Sequence, residues 1–378
     1  MPILAVATLA HLYIGWRVAP ELPGPVAAGL FLALLLACWL AIPIGFRSRR
    51  AHDRAAADRR TWIGMLALGL FSMLFVATLL RDAVLLASRL LGGAFELPPL
   101  AGPTALAVPL LALAGVVLGV VGARRTARVR EVRVPIAGLP AALDGFTVVQ
   151  ISDVHVGPTV KRGYVQRIAD VVNRLDADAI AITGDLVDGR VGDLAADVQP
   201  LAGLRSRHGT FFVTGNHEYY SGAAEWIAHL RQLGLRVLNN EHVVIERGPA
   251  RLVLAGVTDY SAGHFTPDDR SDPHRAIRGA PADAALRVLL AHQPRSAAAA
   301  AEAGFDLQLS GHTHGGQFWP WNLFVRFQQP YTAGLHRLRA LWVYTSRGTG
   351  YWGPPIRLGA PSEITRVRLV AAREPAGR

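Results

Sequence analysis

Apolar positions follow two different regimes along the chain. In the first third they run together. Residues 25–46, "PVAAGLFLALLLACWLAIPIGF", carry no charge, and neither do 62–80, "WIGMLALGLFSMLFVATLL", or 104–122, "TALAVPLLALAGVVLGVVG". About 20 apolar residues cross a bilayer core as a helix, so each run predicts a span. A shorter apolar stretch within 1–18, which contains His11, predicts a fourth. No basic segment precedes it, so a cleaved leader is not expected. This region is expected to extend to residue 134.

From residue 145 the pattern changes to short apolar runs separated by turns. "FTVVQIS" (146–152), "DAIAIT" (178–183) and "TFFVT" (210–214) read as strands buried on both faces. So do 251–257, 286–292, 305–310, 341–346 and 364–370. Between the first two, residues 162–175 place Val165, Ile168, Val172 and Leu175 on one helical face, and a second helix is predicted near 295–304. The alternation predicts an α/β domain over 135–371, followed by a loose tail, 372–378.

Charge refines this picture. The chain has a formal net charge of +11. Residues 1–134 account for most of it, with 14 Arg against 6 acidic residues; the rest carries 25 Lys and Arg against 22 acidic residues. The excess lies beside apolar spans, six Arg in 47–60 and five in 124–133. That placement predicts a multi-pass cell (inner) membrane protein with its α/β domain in the cytoplasm. The small excess on the soluble region speaks against a nucleic-acid substrate, and no obligate protein partner is expected. The single cysteine, Cys38, rules out a cysteine cage for a metal.

The predicted strand ends carry the chemistry. Asp153 and His155 follow the first strand, Asp185 the second, and Asn216, His217 and Glu218 the third. His292 closes 286–292, and His312 and His314 follow 305–310 in "GHTHGGQ". Ligands of open α/β sheets bind beyond the carboxyl ends of strands. Carboxylate, amide oxygen and imidazole suit hard-to-borderline divalent cations. A carboxylate can bridge two cations where an imidazole nitrogen cannot, and Asp185 is placed to do so. Two cations about 3.5–4 Å apart clamp the attacking and leaving oxygens of a phosphoryl displacement.

Taken in order, "DVH", "GD", "GNHE", "AH" and "GHTHGGQ" resemble the calcineurin-like metallophosphoesterase superfamily. The resemblance covers about 145–370. "GHTHGGQ" and "SRGTGYWGPPIRLGAPSEIT" (346–365) are similar to its bacterial membrane-associated branch, which includes phosphodiesterases of the YkuE and YaeI type. It implies a four-layer α/β/β/α sandwich and two divalent metal ions of the Mn, Fe or Zn kind. By motif position, Asp153, His155, Asp185 and His314 would hold one ion. Asp185, Asn216, His292 and His312 would hold the other, with His217 as the acid that protonates the leaving oxygen. The expected activity is hydrolysis of a phosphodiester, pyrophosphate or monoester bond, in a phosphorylated small molecule or a lipid-linked substrate. A membrane sensor that binds a phosphorylated ligand without turnover is the alternative.

Several further residues have less determined roles. Arg347 is a candidate for neutralising substrate phosphate, or a surface ion-pair partner. Asp259 is a candidate for approaching the site. Glu218 either orients a neighbour or is a solvated loop carboxylate. The eight histidines outside the motifs read as structural. Residues 318–331, "FWPWNLFVRFQQPY", hold six aromatics. They read as a loop packed over the sheet edge or as a lip that touches the bilayer.

Overall fold

The structure, a computed structural model, describes residues 2–47, 53–91 and 100–372. Arg49, Arg50 and His52 of the basic loop, residues 92–99 of the connection between the second and third apolar runs, and the tail beyond Ala372 lie outside the described residues. The chain forms two compact units. One comprises Met1–Arg124 with Gly353–Leu358, the other Arg125–Trp352 with Gly359–Arg378.

The first unit is helical: α1 (Pro2–Val18), α2 (Gly24–Arg47), α3 (Arg54–Leu91) and α4 (Ala101–Arg124). The last three are long and apolar enough to cross a membrane. α1 is a helix of 17 residues and is not among those three. α3 is much longer than its apolar run because "RAAADRR" continues the helix with strong helix formers. Small residues let α2 and α3 touch backbone to backbone, since a Cβ on Gly45 would stand 2.7 Å from the Gly64 Cα. Asp82 ties α1 to α3, accepting from Tyr13 Oη at 2.7 Å and from Arg17 Nε at 2.9 Å. Ile356 belongs to this unit and fills the notch left by Gly69 and Gly119, while the Arg357 N–H donates to the Gly119 carbonyl at 2.9 Å.

The second unit is built on two six-stranded sheets. The first has the order β1 (Arg128–Ile136), β12 (Glu363–Ala371), β2 (Thr147–Ile151), β3 (Ala179–Thr183), β4 (Thr210–Val213), β5 (Arg236–Val237). The second has the order β10 (Gly334–Leu338), β11 (Leu341–Thr345), β9 (Leu307–Ser310), β8 (Leu286–Leu290), β7 (Ala250–Gly256), β6 (Glu241–Arg247). β2 to β5 are mutually parallel, as are β11, β9, β8 and β7. The antiparallel pairs are β12–β2, β10–β11 and β6–β7.

Side chains alternate across a strand, and the burial follows that period. Val148, Ala179, Ala181 and Phe211 of the first sheet share one core with Leu252, Leu254, Val288, Leu290 and Leu309 of the second. The intervening Val253, Ala255 and Leu289 are equally buried; Ala255 and Leu289 join Ala276, Ala297, Ala300 and Phe305 in an outer core. These last four lie on or beside α9 (Pro273–Ile277) and α10 (Ala297–Glu302). Near the first sheet run α5 (Arg162–Asn173), α6 (Val191–Val198), α7 (Asn216–Ser221) and α8 (Ala223–Gln232); α5 buries Val165, Ile168 and Val172 as its periodicity predicts. A short α11 (Asn322–Val325) follows the histidine turn. Helix, sheet, sheet and helix are thus stacked as expected. The parallel strands send the loops after β2, β3, β4, β8 and β9 to one edge.

Candidate metal centre

The candidate ligands follow those strand ends, and five of the seven sit in a backbone conformation few residues adopt. Of nine non-glycine residues with positive φ among the described residues, five are Asp153, His155, Asp185, His312 and His314, with φ between 51° and 71°. Such positions cost on the order of 1 kcal/mol each and persist where surrounding structure enforces them. Close approach is enforced by glycine: a Cβ on Gly311 would collide with Ser152 Oγ and Asp153 Oδ2, and one on Gly215 with Asp185 Oδ1.

Three groups of ligand atoms converge, each within 4.8 Å: Asp153, His155 and His314; His155, Asp185 and His217; Asp185, His292 and His312. Asp185 belongs to two of them. His155 Nε2 lies 3.0 Å from His314 Nε2, and His312 Nδ1 lies 3.2 Å from His292 Nε2. Asp185 Oδ2 is 3.1 Å from His292 Nε2 and 3.9 Å from His155 Nε2. The amide oxygen of buried Asn216 has no hydrogen-bond partner, although buried polar atoms nearly always find one. Imidazole nitrogens in pairs, a shared carboxylate and an orphaned amide oxygen fit a divalent-cation site made of nitrogen and oxygen donors.

The orientation of the rings is set from behind. His292 Nδ1 stands 2.8 Å from the Thr183 carbonyl, which makes that nitrogen the donor and leaves Nε2 as the free lone pair. Asp188 does the same for two rings at once: its Oδ1 is 3.0 Å from His155 Nδ1 and 2.6 Å from His217 Nδ1. Burial pushes the Asp188 carboxyl up, but the charges and hydrogen bonds of His155 and His217 outweigh it and hold it well below the usual range. Burial likewise opposes charge on His217, yet Asp188, Asp185 and Glu218 raise its imidazole to about 9. His312 is pushed down to about 3 by burial and by the neighbouring His292. A neutral ring is what coordination requires.

Glu218 orients the backbone. Its carboxylate is fully buried and accepts from the N–H groups of Gly215, Asp185, Leu186 and Val187 at 2.6–3.2 Å. Arg347 packs against the histidine turn, where a Cβ on Gly315 would stand 2.9 Å from its Cγ, and its Nη1 is 3.5 Å from Glu363 Oε2. Asp259 is buried outside the three groups, with its oxygens accepting from Ser261 N at 2.8 Å and Gln293 Nε2 at 3.1 Å. Two residues escaped the sequence reading. Asp188 has the same aspect as any loop carboxylate, and only its place three residues after Asp185 hints at its role. Trp352 stands with its ring 5.7 Å from that of His217, and Gln317 holds its backbone by two hydrogen bonds of 2.8 Å. Among the described histidines outside the motifs, His11 stacks on Phe71, His208 on Phe146 and His336 on Tyr331, and His242 Nδ1 lies 2.8 Å from the Ala276 carbonyl.

The family described as Calcineurin-like phosphoesterase matches residues 146–316. A Danio rerio "Transmembrane protein with metallophosphoesterase domain" is 38% identical over 68% of this chain and 60% of its own, so the chain spans about three fifths of that relative. An uncharacterized metallophosphoesterase of Campylobacter jejuni is 30% identical over 97% of this chain and 96% of its own. The uncharacterized metallophosphoesterase YkuE of Bacillus subtilis is 28% identical over 60% and 80%. The strand-end candidates and the near full-length bacterial match agree: the chain belongs to the calcineurin-like metallophosphoesterase family.

Proposed function

We propose that this protein is a membrane-anchored, dinuclear metal-dependent phosphoesterase whose substrate is a phosphodiester, pyrophosphate or phosphomonoester carried by a lipid or another phosphorylated molecule. The observation that carries the reading is the place of Asp185 between two groups of ligand atoms. Asp153, His155, His314 and Asp185 would hold one divalent cation, and Asp185, Asn216, His292 and His312 the other. Cations bound there would supply Lewis acidity to the phosphoryl oxygens and to the attacking water. Their identity, among Mn, Fe, Zn and related ions, is left open by a donor set of nitrogen and oxygen.

The chain's own residues do the rest. His217 keeps Nδ1 on Asp188, so Nε2 faces the centre, 4.0 Å from Asp185 Oδ2. From there it donates its proton to the leaving oxygen as the phosphorus–oxygen bond breaks. Arg347, beside the histidine turn, supplies positive charge to substrate phosphate. Asp259 acts only through Gln293, next to the ligand His292. Three helices of membrane-crossing length support a multi-pass anchor, and the arginine-rich flanks support a cytoplasmic catalytic unit in the inner membrane. Anchoring favours a lipid-linked substrate over a soluble one.

The test uses full-length protein in detergent with Mn, hydrolysing bis(p-nitrophenyl) phosphate and an alkyl phosphodiester. His217→Ala should lower kcat by about 10²–10⁴-fold, more for the alkyl ester, whose leaving oxygen needs the proton. Equal loss on both esters would remove His217 from the acid role. Binding without turnover by the unaltered protein would instead favour a sensor.

A further inference from the structure

Exposed apolar side chains are unevenly spread over the second unit. Among its described residues, eleven large hydrophobic side chains are exposed: Val129 and Val244, and nine others on segments that follow β4, β7, β9 and β11. β4 and β9 are followed directly by candidate ligands; β11 runs parallel beside β9, and β7 runs parallel beside β8, which leads into the candidate ligand His292. Five of the nine, Trp319, Trp321, Leu323, Phe324 and Phe327, form a lip in and around α11. The ends of this lip pack inward: Phe318 is buried, and Tyr331 lies against the outer core of the second sheet. Its middle does not, and Phe327 is 74% exposed. The lip starts immediately beyond the histidine turn, where a Cβ on Gly316 would strike the Asn322 backbone. Tyr220, Tyr260, Phe265 and Trp352 make up the remainder of the nine, and the rings of Tyr220 and Trp352 flank His217 at 5.1 and 5.7 Å.

An apolar patch of this kind marks a surface that something else covers. Three features select the cover. The same chain carries three helices of membrane-crossing length and hydropathy. The patch is dominated by Trp, Tyr and Phe; Trp and Tyr settle at the headgroup level of a bilayer, and Phe with Trp and Leu makes up the apolar face that interfacial helices bury at the headgroup–acyl boundary. Residues 318–331 contain Arg326 and no acidic residue, and Arg295 donates to the Gln328 carbonyl at the lip's far end. That charge complements an anionic phospholipid surface.

We propose that the lip Trp319–Phe327 docks on the phospholipid surface of the bilayer and holds the metal centre at the headgroup layer. The proposal rests on the membrane reading of the helical unit and is independent of which bond the metal centre cleaves. A phosphate on a lipid headgroup then meets the site without leaving the membrane.

The test is electron paramagnetic resonance on the full chain in nanodiscs of phosphatidylcholine and phosphatidylglycerol. In a Cys38→Ala background, Phe327→Cys carries a nitroxide, and Glu246→Cys on β6 serves as the water-facing control. Oxygen concentrates in lipid, and a nickel chelate stays in water. The expected result is that the label at 327 collides more with oxygen than with the chelate, and the label at 246 does the reverse. If Phe327→Cys fails to assemble, Leu323→Cys carries the same measurement. A label at the lip that behaves like 246 overturns the proposal. One shielded from both reagents overturns it too, and assigns the patch to a second copy of the chain or another protein. Neither readout depends on catalysis, so loss of the hydrolase reading leaves it intact.

Discussion

One carboxylate oxygen, Oδ1 of Asp188, fixes both a candidate ligand and the candidate acid through their Nδ1 atoms. Asp188→Ala should release both rings. Loss of such an orienting partner costs about 10–100-fold in metal affinity or activity. We expect kcat to fall by about that factor, with Asp188→Asn recovering much of it because the amide oxygen still accepts. If Asp188→Ala and wild type were indistinguishable with both aryl and alkyl esters, orientation by Asp188 would be wrong. The residue scale is also where sequence reading was most and least informative. The eight motif residues announce themselves because ligand types follow apolar runs at strand ends. Asp188 does not, since its function exists only once the loops after β2, β3 and β4 meet. Glu218 shows the same limit: its four backbone donors come from two loops.

At the scale of elements, legibility follows burial. Strands with both faces buried, such as β3 and β8, are continuous apolar runs and were readable within a residue or two. β1 was not, because "RVREVRVPI" alternates charge with apolar residues and reads as an arginine-rich flank. β6 and β10, both at sheet edges, were hidden for the same reason. The inter-sheet core holds the ligand loops in register, since β8 and β9 end in His292 and the His312 turn. Leu290 is fully buried there, so Leu290→Ala should cost about 2–5 kcal/mol. Denaturant unfolding in detergent would read that loss. A change near zero would mean that the packed sheets do not carry the stability of this unit.

On the scale of the whole molecule, the first third and the remainder obey different solvents. The helical unit exposes leucines and valines around most of its surface, as with Leu9, Leu30, Leu90 and Leu111, which suits lipid. Among the described residues of the second unit, the exposed large hydrophobic side chains other than Val129 and Val244 lie on segments that follow β4, β7, β9 and β11. Arginine asymmetry predicts that the C-terminus is cytoplasmic. A C-terminal phosphatase reporter, active only outside the cytoplasm, should therefore stay silent, while a fluorescent-protein fusion should shine; the opposite pair of signals would invert the topology. The central claim concerns the metal pair that Asp185 joins. The most direct measurement is elemental analysis of active full-length protein beside Asp185→Asn. The account predicts about two divalent ions per active chain, as two-metal phosphoryl chemistry requires, and loss of both ions and activity in the variant. Active protein without stoichiometric metal, or a variant that keeps both ions, would contradict it.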